Sequence, residues 1–130
     1  MQLKSAYFAA LLACVAGASA CVSPPTRAAS GPLPIADGDY KFEHRFAEHP
    51  SLHSVTMDVR IRDGRIVITN TTPSSAFPVG VVAEGRLLWN GRVGQWIIAD
   101  KEADRNATEV GGCTDGPEVV DLEHRVYWTC

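Results

Sequence analysis

The chain has 130 residues and carries 12 Lys and Arg against 15 Asp and Glu, a formal net charge of −3 at pH 7. This acidic balance argues against a nucleic-acid-binding protein, which is usually basic. It also argues against a polybasic contact with anionic lipid. The length is enough for one domain.

The first 20 residues read as a secretory signal peptide. Lys4 supplies the positive n-region, and residues 6–18 form an uncharged apolar tract. This tract is too short to span a bilayer, which needs about 20 apolar residues. Ala18 and Ala20 also satisfy the small-residue rule of ordinary signal peptidase. We therefore expect an exported protein that is cut before Cys21.

The run Ala18-Ser19-Ala20-Cys21 resembles the lipobox of bacterial lipoproteins, a resemblance that covers these four positions. It implies that Cys21 is diacylated on sulfur and becomes the first residue of the mature protein. Val22 follows, where Asp would retain a lipoprotein in the inner membrane, so the resemblance implies an outer-membrane anchor facing the periplasm. The alternative is a soluble periplasmic protein with Cys21 as a free thiol.

Cysteine counting agrees with this interpretation. Of the four cysteines, Cys14 leaves with the signal peptide, and lipidation of Cys21 leaves Cys113 and Cys130 to form a disulfide in an oxidising compartment. Neither belongs to a Cys-x-x-Cys motif, which favours a structural bond over a redox-active pair.

Residues 21–36 comprise the lipidated cysteine and a Pro/Ser/Ala-rich segment without hydrophobic periodicity. Its prolines predict a semi-extended, flexible tether. A single β domain is then predicted over 37–130.

Within the domain the hydrophobic pattern has a period of two, which is typical of strands. Tyr40, Phe42, His44 and Phe46 alternate with polar residues, and so do the apolar residues of 55–61. A helical turn fits only 101–106, and the prolines of 73–78 predict a loop. Six to eight short strands predict an all-β fold, a small antiparallel barrel or sandwich closed by one disulfide. A barrel is favoured because closure removes exposed strand edges.

Two dipeptides predict tight hairpins. Asp63-Gly64 places Ile61 opposite Ile66 and Val59 opposite Ile68, so the apolar residues share one face. Asn90-Gly91 is the second turn, and as a two-residue loop it places Leu88 opposite Val93.

Arginines and tryptophans are the candidate binding residues. Arg60, Arg62 and Arg65 surround the first hairpin loop and suit an anionic lipid, a glycan carboxylate or an acidic partner; the alternative is a charged face that prevents aggregation. Trp89 adjoins the second loop and is a candidate partner anchor, or else packs across the strands. The pattern places Trp96 and Trp128 in the core.

Three histidines lie within ten residues, and His49 and His53 are weak candidate metal ligands. Pro50 between them predicts a loop that gathers the two rings. Solvated or packed histidines are the alternative, and we expect no resident metal or other cofactor.

No motif for catalysis is present in the sequence, so we expect no enzyme; the alternative is a hydrolase whose catalytic residues form no sequence motif. The layout is similar to that of small envelope lipoproteins, including β-barrel inhibitors of lysozyme, although no inhibitor motif is found. The sequence favours a non-catalytic binding or structural module that contacts an envelope protein or glycan. The alternative is a periplasmic protein that binds a metal or a small ligand.

Overall fold

The computed structural model describes residues 32–130, and in that range the chain forms one closed sheet. Its strands are β1 (Gly38–Phe46), β2 (His49–Arg62), β3 (Arg65–Asn70), β4 (Gly80–Asn90), β5 (Gln95–Ala99), β6 (Glu118–Asp121) and β7 (Val126–Thr129). A 3-10 helix, Glu102–Asn106, lies between β5 and β6, where the sequence predicts a helical turn. The all-β prediction and the preference for a barrel are confirmed.

Each strand pairs with the next one along the chain, and β7 returns to pair with β1. Consecutive strands are antiparallel, but β1 and β7 are parallel. The reason is the odd number of strands: when directions alternate, the first and the seventh strand run the same way.

The barrel has two ends, which we call the tether end and the distal end. The tether end holds the start of β1 and the β2–β3, β4–β5 and β6–β7 connections. The distal end holds the end of β7 and the other three connections. Leu33 and Ile35 pack against the core, and the Ala36 carbonyl accepts a hydrogen bond from the Tyr40 hydroxyl at 2.7 Å. Residues preceding β1 therefore contribute to the packing of the tether end.

Apolar side chains from the strands fill the interior of the barrel. The buried members of this main core are Phe42, Met57, Val59, Ile61, Ile66, Ile68, Leu87, Ile98, Val120, Leu122 and Tyr127. A second cluster, Leu88, Ile97, Ala99 and Val119, alternates with the first along the strands and so lies on the outer face. Val110 of the β5–β6 connection and Trp128 pack on this second cluster. In β7 it is thus Tyr127 that points into the barrel, whereas the pattern placed Trp128 there.

The first hairpin has the predicted register. Ile61 pairs with Ile66 and Val59 with Ile68. Asp63 has φ 50° and Gly64 has φ 73°, as a two-residue loop with both residues left-handed requires.

The predicted register of the second hairpin is wrong. Leu88 pairs with Ile97 and Trp89 with Trp96, and residues 91–94 form a four-residue loop. The Asn90 carboxamide causes the change, because its Oδ1 accepts hydrogen bonds from the backbone N–H of Arg92 (2.9 Å) and Val93 (3.3 Å). These bonds hold the loop open beyond two residues.

Cys113, in the β5–β6 connection, and Cys130, directly after β7, form the predicted disulfide, with Cα atoms 4.7 Å apart. The bond fastens the long connection to the last strand at the distal end.

Among residues 32–130, no helix is long and apolar enough to cross a membrane. The predicted signal peptide, the lipidation of Cys21 and most of the predicted tether lie outside the described residues.

Candidate functional site

Internal salt bridges occupy two of the three candidate arginines. Arg60 Nε lies 2.9 Å from Asp39 Oδ1, and Arg62 Nη2 lies 3.2 Å from Asp39 Oδ2. The hydrogen bond from Arg60, together with the positive charges, holds the pKa of Asp39 below its ordinary value. Arg65 is exposed and pairs in register with Arg62 and Arg86 of the adjacent strands. The three arginines therefore differ in how available they are to a partner. Arg65 is the one whose charge is not matched by a salt bridge within the described residues.

His49 and His53 do not gather in a loop, because β2 begins at His49 and includes the intervening proline. The strand is bulged there, since His53 pairs with Arg45 whereas His49 pairs with the next residue, Phe46. No group of three close potential metal ligands among residues 32–130 includes either histidine. His53 Nδ1 instead contacts the Glu43 carboxylate.

Within residues 32–130, one group of three potential metal ligands lies close together, formed by Glu48 with Cys113 and Cys130. Both sulfurs of that group are bonded to each other, so they are not available as thiolates.

A groove at the tether end, of about 330 Å³, contains the candidate anchor Trp89. We call it the tryptophan groove and define it by Trp89, Gln95, Trp96, Asp121, Glu123 and His124, which are among its lining residues. The Trp89 and Trp96 rings meet edge to face, with centroids 5.5 Å apart. Trp89 is 36% exposed, so aromatic surface remains accessible in the groove.

The polar rim of the tryptophan groove is organised by the turn between β6 and β7. Asp121 Oδ1 accepts hydrogen bonds from the backbone N–H of Glu123 (3.1 Å) and His124 (2.9 Å), and Oδ2 lies 2.8 Å from His124 Nδ1. Burial raises the pKa of Asp121, but these hydrogen bonds outweigh it and leave the pKa below its ordinary value. Asp121 is consequently a fixed, ionised acceptor.

A second cavity, of about 500 Å³, opens at the distal end of the barrel, and we call it the distal mouth. The rings of Phe46, Phe77 and Tyr127 contribute to its wall. Phe77 belongs to the β3–β4 connection, which Asn70 fastens by donating hydrogen bonds to the carbonyls of Phe77 and Pro78, each at 3.1 Å. Asp115 and Glu118 are the charged residues of the lining.

Glu118 and Tyr127 form a polar pair in the distal mouth. The Tyr127 hydroxyl donates a hydrogen bond to Glu118 Oε2 at 2.8 Å. Burial raises the pKa of Glu118, and the hydrogen bond from Tyr127 only partly offsets this effect. Burial, with the nearby Glu118 charge, also raises the pKa of Tyr127.

His44 lies directly behind the rings of the distal mouth and is fully buried. Its Nε2 is 2.8 Å from Thr129 Oγ1, whereas Nδ1 has no hydrogen-bond partner in the part of the chain that the structure describes. The Phe46 and Phe77 ring centroids are each 4.6 Å from that of His44. Burial lowers the pKa of His44, which favours the neutral imidazole.

Sequence reasoning missed the pairing of the two tryptophans and the whole distal mouth. The first was hidden by the wrong register of the second hairpin. For the mouth one signal existed, since the alternation in β1 already places His44 on the same face as Phe42. The contact of Glu118 with Tyr127 depends on the β6–β7 pairing, for which the sequence carries no turn motif.

Comparison of this chain with protein-family models, with curated proteins and with solved structures finds no match. The tryptophan groove and the distal mouth are thus candidate sites on their own geometry.

Proposed function

We propose that this chain is a lipid-anchored, non-catalytic binding module of the bacterial envelope that contacts a glycan through the tryptophan groove. The observation that carries the proposal is the Trp89–Trp96 pair, which presents aromatic surface beside carboxylate, amide and imidazole groups. A glycan site needs both the aromatic surface and the polar groups, because a sugar ring has apolar C–H faces and hydroxyl edges.

The aromatic rings suit the C–H faces of a sugar, and the polar groups suit its hydroxyls. An indole ring offers a large, rigid apolar face at a small cost in conformational entropy, on which a C–H face can stack. Asp121 accepts hydrogen bonds from hydroxyls, while the Gln95 carboxamide both donates and accepts. The groove is also concave and within the size range of small-molecule sites.

A binding role fits the chemistry of the groove better than catalysis does. A general acid needs a carboxyl group that holds its proton near neutral pH. The hydrogen bonds to Asp121 do the opposite, since they lower its pKa. Asp121 is therefore suited to holding a hydroxyl group.

The anchor is supported by the lipobox-like run at Cys21 and by the cysteine pairing, which leaves Cys21 as the odd thiol of the mature chain. Residues 22–31 can extend to at most about 35 Å. A glycan bound in the groove would then lie no farther from the membrane surface than the length of this tether plus the size of the domain.

The anchor is tested by the non-reducing intact mass of the protein purified from host membranes. We expect a mass equal to that of residues 21–130 plus the acyl groups, less two hydrogens for the disulfide. A bare chain beginning at Cys21 in the soluble fraction would contradict the anchor and leave the groove in a soluble periplasmic protein.

Glycan binding is tested by titrating the protein with soluble envelope glycan fragments and following tryptophan fluorescence. We expect Trp89→Ala to weaken binding about tenfold or more, as for a central aromatic contact. Val93→Ala is the matched control, because Val93 is exposed in the loop that follows β4 but does not line the groove. Absence of saturable binding, or equal binding by both variants, would reject the glycan. Recovery of a cross-linked protein that requires Trp89 would identify a protein partner instead.

The alternative of a metal-binding protein gains no support from His49 and His53, because neither belongs to a group of three close potential ligands among residues 32–130. Small-ligand binding has a specific observation in its favour, the distal mouth.

A further inference from the structure

The distal mouth contains a carboxylate without a positive partner. Glu118 is half-buried, and it accepts a hydrogen bond from the neutral hydroxyl of Tyr127. Among residues 32–130, no Lys, Arg or His forms a salt bridge with it. A partly buried charge without a counter-charge is costly, so a cation at this position would be stabilised.

The rest of the lining also favours a cation. Asp115 is the second charged residue of the cavity, and no basic side chain of the described residues lines it. Phe46, Phe77 and Tyr127 supply aromatic rings, whose negative faces attract organic cations. An anionic ligand would be repelled by the two carboxylates and would find no positive side chain among the described lining residues.

We propose that the distal mouth is a binding site for a small organic ammonium group, with Glu118 as its counter-ion and the Phe46 and Phe77 rings around its apolar part. The site is separate from the tryptophan groove, which lies at the tether end, so it does not depend on the proposed glycan. A cavity of about 500 Å³ is large enough for such a group carrying a ring or a short chain.

Benzylamine, benzyl alcohol and benzoate are suitable probes, because they share a ring and differ in charge. They are titrated into the full-length processed protein, and binding is followed by amide chemical shifts at residues of the mouth such as Gly111. We expect saturable binding of benzylamine, weaker binding of benzyl alcohol and none of benzoate. Equal binding of the amine and the alcohol, or shifts confined to other regions, would overturn the proposal.

Glu118→Gln is the decisive variant, because its amide oxygen still accepts the Tyr127 hydrogen bond while the charge is lost. We expect it to weaken benzylamine binding about tenfold, as the loss of one well-placed counter-ion does, and to leave benzyl alcohol unaffected. Glu84→Gln removes the same charge from an exposed position of β4 and should change neither affinity. Unchanged benzylamine affinity in Glu118→Gln would reject the counter-ion role.

The ammonium group has two sources, a diffusible amine or a lysine side chain of a partner. Nα-acetyl-lysine amide distinguishes them. If it competes with benzylamine and binds more tightly, the source is a peptide. If benzylamine binds more tightly, the source is a diffusible amine. Either result supports the site, provided that Glu118→Gln weakens binding of the tighter ligand about tenfold.

Discussion

Asn70, Asn90 and His44 are the polar residues with no exposed surface in the described part of the chain. The two asparagines lie at the ends of strands, and each uses its carboxamide to bind the backbone of a connection. His44 differs, because one ring nitrogen is satisfied and the other is not. Buried polar atoms without partners are rare and costly, so protonation of His44 should destabilise the fold.

Replacement of Asn90 by Ala should destabilise the protein by about 2–4 kcal/mol, because it leaves several backbone groups unpaired. Asn90 Nδ2 donates to the Ala107 carbonyl at 2.8 Å and thereby joins the β4–β5 loop to the β5–β6 connection. Urea unfolding measures the loss. Arg92→Ala, which keeps the backbone N–H of the same loop, is the control, and a loss as small as that of the control would contradict this role.

Replacement of His44 by Phe should remove an acid sensitivity of the fold. Burial lowers the pKa of His44 below its ordinary value of 6.5. As pH falls through 6.5 the unfolded chain takes up a proton that the folded protein does not, so wild-type stability decreases from there towards the folded pKa. A protonated Nδ1 would also be a buried donor without an acceptor.

Unfolding free energies of wild type and His44→Phe, measured between pH 7 and about pH 5.5, test this expectation. The wild-type value should fall more steeply than that of the variant. Parallel curves would show that His44 does not carry the acid response. His49→Ala, at an exposed position of β2, should leave the wild-type slope unchanged.

At the scale of elements, the β5–β6 connection depends on the disulfide. It covers the second cluster on the outer face of the sheet through Val110, and Cys113 joins it to the end of β7. Its 3-10 helix buries no residue. The covalent bond therefore compensates for a connection that has few apolar contacts of its own.

Replacement of Cys113 and Cys130 together by Ser should lower stability by about 3 kcal/mol, the loop-closure term for a separation of 17 residues. Hydrogen exchange should increase most over 107–117 and least in the β2–β3 hairpin. Reducing agent should lower the melting temperature of wild type to that of the double variant and leave the variant unaffected. A wild type insensitive to reduction would contradict the stabilising role.

The sequence predicts those elements whose signals are local. The Asp63-Gly64 turn and the alternation in the flanking strands specify one hairpin completely, because the turn conformation and the apolar face agree. Asn90-Gly91 has an equally good local signal, but the Asn90 side chain is engaged by the distant Ala107 carbonyl. This tertiary contact orients the carboxamide whose Oδ1 holds the loop at four residues, and the longer loop sets the pairing of Trp89 with Trp96.

The candidate sites were less predictable than the strands for the same reason. The sequence indicates Trp89 as a candidate anchor, but its companion Trp96 follows only from the register. The distal mouth joins Phe46, Phe77 and Glu118 from three separate parts of the chain. Barrel closure brings these residues together, and their spacing in the sequence does not predict that proximity.

On the scale of the whole molecule, the packed core extends beyond the strands. Leu33 and Ile35 precede β1 and are half-buried against the main core. Asp37 adds a polar contact, since its Oδ2 accepts a hydrogen bond from the Asp63 backbone N–H at 2.9 Å. The segment ahead of the sheet thus closes the tether end together with the first hairpin loop.

The combined Leu33→Ala and Ile35→Ala substitution should reduce the free energy of unfolding by about 1–3 kcal/mol, because both side chains lose part of a buried apolar area. Leu52→Ala is the control, since Leu52 is 57% exposed and should change stability by less than about 0.5 kcal/mol. Chemical denaturation compares the three proteins. If the double variant matches Leu52→Ala, the segment ahead of β1 does not contribute to the fold.

The parallel pairing of β1 with β7 has a mechanical consequence. The domain begins at one pole of the barrel and its last strand ends at the other. A pull applied between these two points acts along the strands, so the hydrogen bonds that join β1 to β2 and to β7 bear the load together in shear and do not open one after another. A protein held to a surface by its beginning and gripped near its end would resist such a force as a single unit.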